Sequence, residues 1–415
     1  MKILFISNLY PPNVVGGYER LCHEVATAFV AMGHEVVVLT SSYGGREADY
    51  PGQMIHRTLR LLANEENIYA PFSASSDERA AINAGNVKVL RNTIAAERPD
   101  TIFAWNLFFF DRSLLSALDD AGRPVVFMLT DNWLIAALNG GFISEFFRRH
   151  VFGDEPFTVV RTSLLDRLLR RRAAAQLPMK QTAIFGAEFM RTLYRAAGFS
   201  FSHETVIHNG VRLPCRSASA VADRATLRDP DELRLLFAGR IVDVKGVHTI
   251  LEALPLLGKA GGALPPVRLT IVGDAQDSTY RARLDGLLTG IGDRVRVDFA
   301  APVAEDALFE LFQQHDIYLF PSLYEPFSLT LIHALAAGIP TIASDIGGNV
   351  EIVADSKTGL LFRKGDAADL ARTITALAGS PDLRATVSRQ GRAAAQTLTF
   401  ERMVSAMAKV HETAV

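Results

Sequence analysis

Four short segments hold the side chains whose types and spacing could do chemistry. The densest is Phe320-Pro321-Ser322-Leu323-Tyr324-Glu325-Pro326-Phe327-Ser328-Leu329-Thr330. It leaves an apolar run, turns at two prolines, and enters a helical pattern through Ser328, a residue type that caps helix starts. A helix start presents free N–H groups and partial positive charge, so the amides of Phe327, Ser328 and Leu329 would point at an incoming anion. Glu325 is either a carboxylate at the mouth of that site or an acid favoured there by the helix dipole alone. His333 follows two turns down, near the same face.

The second segment is Phe237-Ala238-Gly239-Arg240, followed by Asp243-Val244-Lys245-Gly246. Two cations five residues apart at a strand end could neutralise a diphosphate, each through charge-assisted hydrogen bonds. The alternative is two solvated side chains on a loop, although the flanking glycines clear space beside each charge. The third segment, Pro11-Pro12-Asn13-Val14-Val15-Gly16-Gly17, lies between a strand and a helix. It suits a phosphate or a sugar hydroxyl, or is a flexible loop with a helix cap. Gly-x-Gly-x-x-Gly is absent, which argues against a dinucleotide site. The fourth, Ser344 to Glu351 with Gly347-Gly348, either lines the same pocket as Glu325 or is a tight strand-to-helix turn.

Such loops need strands that aim them. Short apolar runs alternate with helical periodicity almost throughout, which is the mark of a parallel α/β fold. Strands are expected at 2–6, 35–39, 101–104, 124–129, 183–185 and 205–207, with a helix over 19–32. After a stretch broken by Pro214, Pro230 and several Ser and Asp residues, strands return at 233–238, 268–272, 294–299, 317–320 and 341–343. The chain of 415 residues therefore reads as an N-terminal domain over 1–212, a linker over 213–232, a second domain over 233–398, and a last helix over 399–415 that returns to the first domain. Ligands of open parallel sheets collect at the carboxyl ends of strands, where all four segments lie.

Together the segments resemble glycosyltransferase family 4, retaining enzymes of the GT-B fold with two Rossmann-like domains facing each other across a cleft. Gly239-Arg240, Lys245-Gly246, Gly273-Asp274, the Glu325 loop, Ala337-Gly338-Ile339-Pro340 and Gly347-Gly348 stand in the family's order. Pro11-Pro12 with Gly16-Gly17 and Glu19 matches its opening motif, and Val206 to Val211 looks like its interdomain approach. The resemblance implies a nucleotide-diphosphate sugar as donor and transfer of a hexose to an acceptor hydroxyl, with retention of configuration and without metal or cofactor. Arg240 and Lys245 would grip the diphosphate, and Gly16 and Gly17 would approach it. Glu325 would sit beside the donor sugar, and backbone near Gly273 and Val303 would meet the base. A glycan, a small molecule or a lipid-linked compound would be the acceptor.

Two positions depart from the family pattern. His333 stands where a second glutamate usually contacts the ribose; it could serve the ribose, reflect another nucleotide, or merely pack. Thr130 stands where a histidine usually precedes Asp131. That leaves Asp131 as the acceptor-side carboxylate, or as a helix cap. The departures keep open a sugar-nucleotide-binding pseudoenzyme, or a GT-B epimerase or phosphorylase.

A net charge of −2 gives no global attraction to nucleic acid. Cys22 and Cys215 make no disulfide framework, and no apolar run is long enough for a bilayer or reads as a signal peptide, so a cytoplasmic setting is expected. Arg148, Arg149, Arg161, Arg167 and Arg170 to Arg172 crowd one stretch. They either complement a helix C-terminus or dock the protein peripherally on the anionic inner membrane face, next to a lipid-linked acceptor.

Overall fold

The computed structural model describes every residue except 158–175, 214–223, 260–263, 276 and 415. Arg161, Arg167 and Arg170 to Arg172 lie outside the described residues, as does part of the expected linker. The chain divides into one unit of Met1–Ile207 with Val404–Val415, and another of His208–Met403. Each is an open, all-parallel sheet with helical connections, so the two Rossmann-like α/β domains of the GT-B fold are both present.

The first unit has seven strands: β1 (Lys2–Ile6), β2 (Glu35–Ser41), β3 (Gln53–Leu59), β4 (Thr101–Ala104), β5 (Val125–Leu129), β6 (Leu177–Phe185) and β7 (Phe199–Val206). Their order across the sheet is β3-β2-β1-β4-β5-β6-β7. β1 is almost wholly buried because helices cover both faces, which is why it reads as an unbroken apolar run. Phe5 meets Phe29 of the helix Gly17–Ala31 edge-on at 5.7 Å, and Phe103 of β4 at 5.2 Å. The last helix, Phe400–Ala414, brings His411 into the same core, 4.4 Å from Phe103 and 3.2 Å from the Thr101 hydroxyl. Burial there pushes the imidazole's pKa down to about 3, so it is neutral in the folded chain.

The second unit has six strands: β8 (Leu233–Ala238), β9 (Val267–Val272), β10 (Val295–Ala300), β11 (Ile317–Phe320), β12 (Thr341–Ser344) and β13 (Leu360–Phe362), in the order β10-β9-β8-β11-β12-β13. Leu235, Phe237, Leu269, Ile271 and Leu319 form its core with the covering helices. Arg224, just after the undescribed stretch, is buried in this unit, donating to the carbonyls of His315 and Phe312 at 2.7 and 3.1 Å.

In both sheets the first strand is central, and the order reverses beside it. The reversal falls between β1 and β4 in one unit and between β8 and β11 in the other. Loops leaving such a pair diverge to opposite sides and open a crevice at the strands' carboxyl ends.

Candidate active site

In the second unit, the loops after β8, β11 and β12 are bound into one assembly. Leu323 donates its amide to the carbonyl of Val244 at 2.8 Å, joining the β11 loop to the β8 loop. Gly348 donates to the carbonyl of Glu325 at 2.9 Å, and the Ser344 hydroxyl to that of Ser322 at 2.5 Å, joining the β12 loop to the β11 loop. These approaches leave no room for side chains. A Cβ on Gly246 would lie 2.1 Å from the carbonyl oxygen of Pro321, and one on Gly348 2.1 Å from that of Pro326. Gly246 also has φ of +68°, a left-handed conformation that glycine adopts without steric cost.

This framework sets Lys245 against Glu325, with Nζ 2.5 Å from Oε2, both side chains largely buried. The ammonium has three donors, so one bond to Glu325 leaves two for a ligand. Phe327, nearly buried, stacks on His208 at 5.1 Å with the rings 7° from parallel, and His208 Nε2 lies 2.9 Å from Glu351. Ser328 caps the helix Leu329–Ala336 by accepting from the amide of Leu331 at 3.2 Å. Lys245, Glu325, Phe327, Ser328 and Leu329 thus belong to one end of one sheet.

Arg240 is exposed at the end of β8. Its loop lies against the end of β9, where Ile241 donates to the carbonyl of Asp274 at 2.9 Å and a Cβ on Gly273 would meet the carbonyl oxygen of Gly239 at 1.9 Å. Gly273 gives its own amide to Ala300 at 3.1 Å. Val303 is 40% exposed in the loop that follows. His333 lies 2.9 Å from the carboxylate of Glu305, two residues past Val303. The imidazole is therefore tied to a carboxylate from another loop, a pairing that local sequence could not disclose.

In the first unit, a cavity of about 190 Å³ sits at the β1/β4 crevice. Asn8 and Val15 reach it from the β1 loop, Asn106 and Phe108 from the β4 loop, and Asp131 from the β5 loop, with Glu19 from the first helix. Glu19 is 4% exposed and accepts from the amide of Gly16 at 2.9 Å. Gly16 is extended, and a Cβ on Gly17 would meet nothing within 4 Å. The fold itself therefore makes no demand for glycine at 17. Thr130 precedes Asp131 at the end of β5, near Tyr18, whose hydroxyl donates to the carbonyl of Met128.

Asp131 accepts from the amide of Trp133 at 3.0 Å, a helix-start contact. The helix-cap reading is thus met by this contact, and the residue also lines the cavity. Burial, with the Glu19 charge adding, raises its carboxyl to about pKa 6 against the bond from Trp133. Because the folded value exceeds the unfolded one, Asp131 favours folding below about pH 4, and that contribution is lost as pH rises through about 6. Asp131→Asn, which keeps the acceptor for Trp133, should raise stability at pH 7.5 by about 2 kcal/mol and leave it unchanged near pH 4. Urea unfolding at the two pH values checks this; equal shifts at both would contradict it.

Arg148 and Arg149, the described part of the basic stretch, are paired with Glu145 and Glu155 at 2.8 and 2.9 Å. No helix among the described residues is long and apolar enough to cross a membrane.

Comparisons with known proteins agree with this architecture. The family model "Glycosyltransferase Family 4" matches residues 15–213, and "Glycosyl transferases group 1" matches residues 220–394. Over 99% of the chain, it is 29% identical to a glycogen synthase of Mycobacterium tuberculosis, of which it covers 94%. Over 51% of the chain, it is 34% identical to a D-inositol 3-phosphate glycosyltransferase of Streptomyces scabiei, covering 48% of that protein. Among solved structures, sucrose-phosphate synthase from Thermosynechococcus elongatus superposes with a TM-score of 0.71 at 20% identity, covering 99% of this chain and 98% of that one. The Anabaena protein HepE, solved with UDP and glucose, gives 0.64 at 21% identity over the whole of both chains.

Proposed function

Because the chain belongs to the GT-B glycosyltransferases of the family 4 type, which take a sugar from a nucleotide-sugar donor, we propose that it transfers a hexose with retention of configuration and without metal. The single observation that carries the assignment of roles is the Lys245–Glu325 pair, held at a strand-end crevice by three interlocked loops. A cation beside a carboxylate suits the junction of a diphosphate and a sugar: one end of the donor is anionic, the other offers hydroxyl donors. Lys245 and Arg240 hold the diphosphate, and the start of the helix Leu329–Ala336 adds amides from Phe327, Ser328 and Leu329. Glu325 accepts from the donor sugar's hydroxyls.

Nucleoside contacts come from the backbone at Gly273 and Val303, with His333 on the ribose side. In the first unit, the open space beside Gly17 admits the donor's phosphate or sugar, and Gly16 holds Glu19 in place. Asp131 and Thr130 serve the acceptor, which enters on the leaving-group face.

The test is incubation with UDP-, GDP- and dTDP-sugars, with and without EDTA, and NMR of the product's anomeric proton. The expected outcome is one donor consumed, EDTA without effect, and the donor's anomeric configuration kept. An inverted product, or loss of turnover in EDTA, would remove the corresponding claim. Interconversion of the donor sugar with no transfer would make the chain an epimerase.

A further inference from the structure

One side chain outside the proposed donor contacts is fixed against them. His208 stacks on Phe327 with the ring centroids 5.1 Å apart and the planes 7° from parallel. Its Nε2 donates to the Glu351 carboxylate at 2.9 Å. The side chain of His208 is 40% exposed and that of Glu351 15%. Burial therefore does little to hold the imidazole; the stack and the hydrogen bond hold it. Fixing a partly exposed polar side chain costs rotamer freedom, which a residue serving only as cover would keep.

The backbone beneath it is also tied down. Val211 forms a parallel bridge with Thr399, giving its amide to the carbonyl of Leu398 at 3.1 Å and accepting from the amide of Phe400 at 3.0 Å. Gly210 gives its amide to the sulfur of Met403 at 3.3 Å, and a Cβ there would lie 2.2 Å from the carbonyl oxygen of Thr399. All of these groups lie within the unit of His208–Met403. His208 thus presents its ring from an anchored segment.

The contacts close a circuit. A Cβ on Gly348 would lie 2.9 Å from the Cα of Phe327, so the β12 loop presses on the Phe327 backbone. Glu351, in the short helix Asn349–Ile352 that follows, holds His208, and His208 covers the Phe327 ring. Phe327 immediately precedes Ser328, the cap of the helix Leu329–Ala336. Its backbone and ring are held from two sides, and with them the direction in which that helix start points its amides.

We infer that His208 is a positioning residue for the donor: through Phe327 it fixes the helix-start amides against the diphosphate, without itself touching the ligand. The inference rests on the glycosyltransferase reading and adds a residue that lies outside all four chemistry-bearing segments.

His208→Ala, His208→Gln and His208→Phe test it on the full chain. The second keeps a donor for Glu351 without an aromatic face, and the third keeps the face without the donor. With the nucleotide sugar identified above, His208→Ala should raise donor KM roughly fivefold, the size of one lost aromatic contact. Both kcat and acceptor KM should change by less than about twofold, because a contact made alike in ground and transition states acts on KM. His208→Gln should stay near the alanine value, and His208→Phe should recover most of the loss. Hydrogen exchange without donor should run roughly threefold faster over 325–331 in His208→Ala and be unchanged in β8. A histidine with only a structural role would lower the thermal unfolding midpoint and leave donor KM alone. That result would overturn the proposal, as would recovery by His208→Gln in place of His208→Phe, or unchanged exchange over 325–331. If the wild type turns over a donor and His208→Ala leaves its KM alone, the positioning role falls and the transferase stands. If the wild type turns over no nucleotide sugar, the transferase reading fails and this inference with it.

Discussion

Replacing Lys245 by alanine is expected to lower kcat/KM by about a hundredfold, because a charge-assisted contact of this kind contributes roughly 1.5–3 kcal/mol. Two losses add. On the proposed roles the diphosphate loses one of two cations, and the Glu325 carboxylate, only 7% exposed, loses the ammonium 2.5 Å away. Initial rates with the donor, together with thermal unfolding, divide the effect. Removing the carboxylate as well, in Lys245→Ala/Glu325→Gln, should recover stability but not turnover, since the unpaired charge is gone while the phosphate contact is still missing. A double variant whose rates match those of the wild type would show that neither side chain touches the donor. The two residues are in contact, so coupling between them is expected, and Glu325→Gln alone completes the cycle that measures it.

Gly246→Ala is expected to destabilise the chain by about 2–4 kcal/mol, combining the cost of a left-handed alanine with that of overpacking. The new methyl would lie 2.1 Å from the carbonyl oxygen of Pro321, and that oxygen cannot move without moving the loop that carries Glu325. Stability and turnover should therefore fall together. Gly17→Ala is the built-in contrast. Nothing lies within 4 Å of the new methyl, so stability should change by less than about 0.5 kcal/mol. Only donor KM should rise if a ligand comes close to that backbone. Urea midpoints and donor KM for the two variants settle the matter; a stable Gly246→Ala would mean the β11 loop is freer than its bonds suggest.

What could be read before any coordinates depended on how local the physics was. β4, β8 and β11 begin and end where their apolar runs do, since buried parallel strands need such runs. β3 escaped because Gln53–Leu59 is a polar, half-exposed edge strand, and β13 because three residues carry no period. Lys245, Glu325 and the helix-start amides were legible as chemistry: charges beside glycines and prolines at strand ends have few purely structural uses. The approach of Tyr69 to Phe109 was not legible, since the two come from separate loops and their rings come within 6.2 Å only through the fold. The same holds for Glu305, which reaches His333 from the other side of β11.

The route of the polypeptide has a consequence for biogenesis. The unit of 208–403 is continuous, whereas the unit that begins the chain is finished by residues 404–415, with His411 wedged against Phe103 and Thr101. A ribosome therefore releases everything needed for the later half before it releases the closing piece of the earlier half. The nascent amino-terminal sheet must wait, partly uncovered, until the final helix emerges.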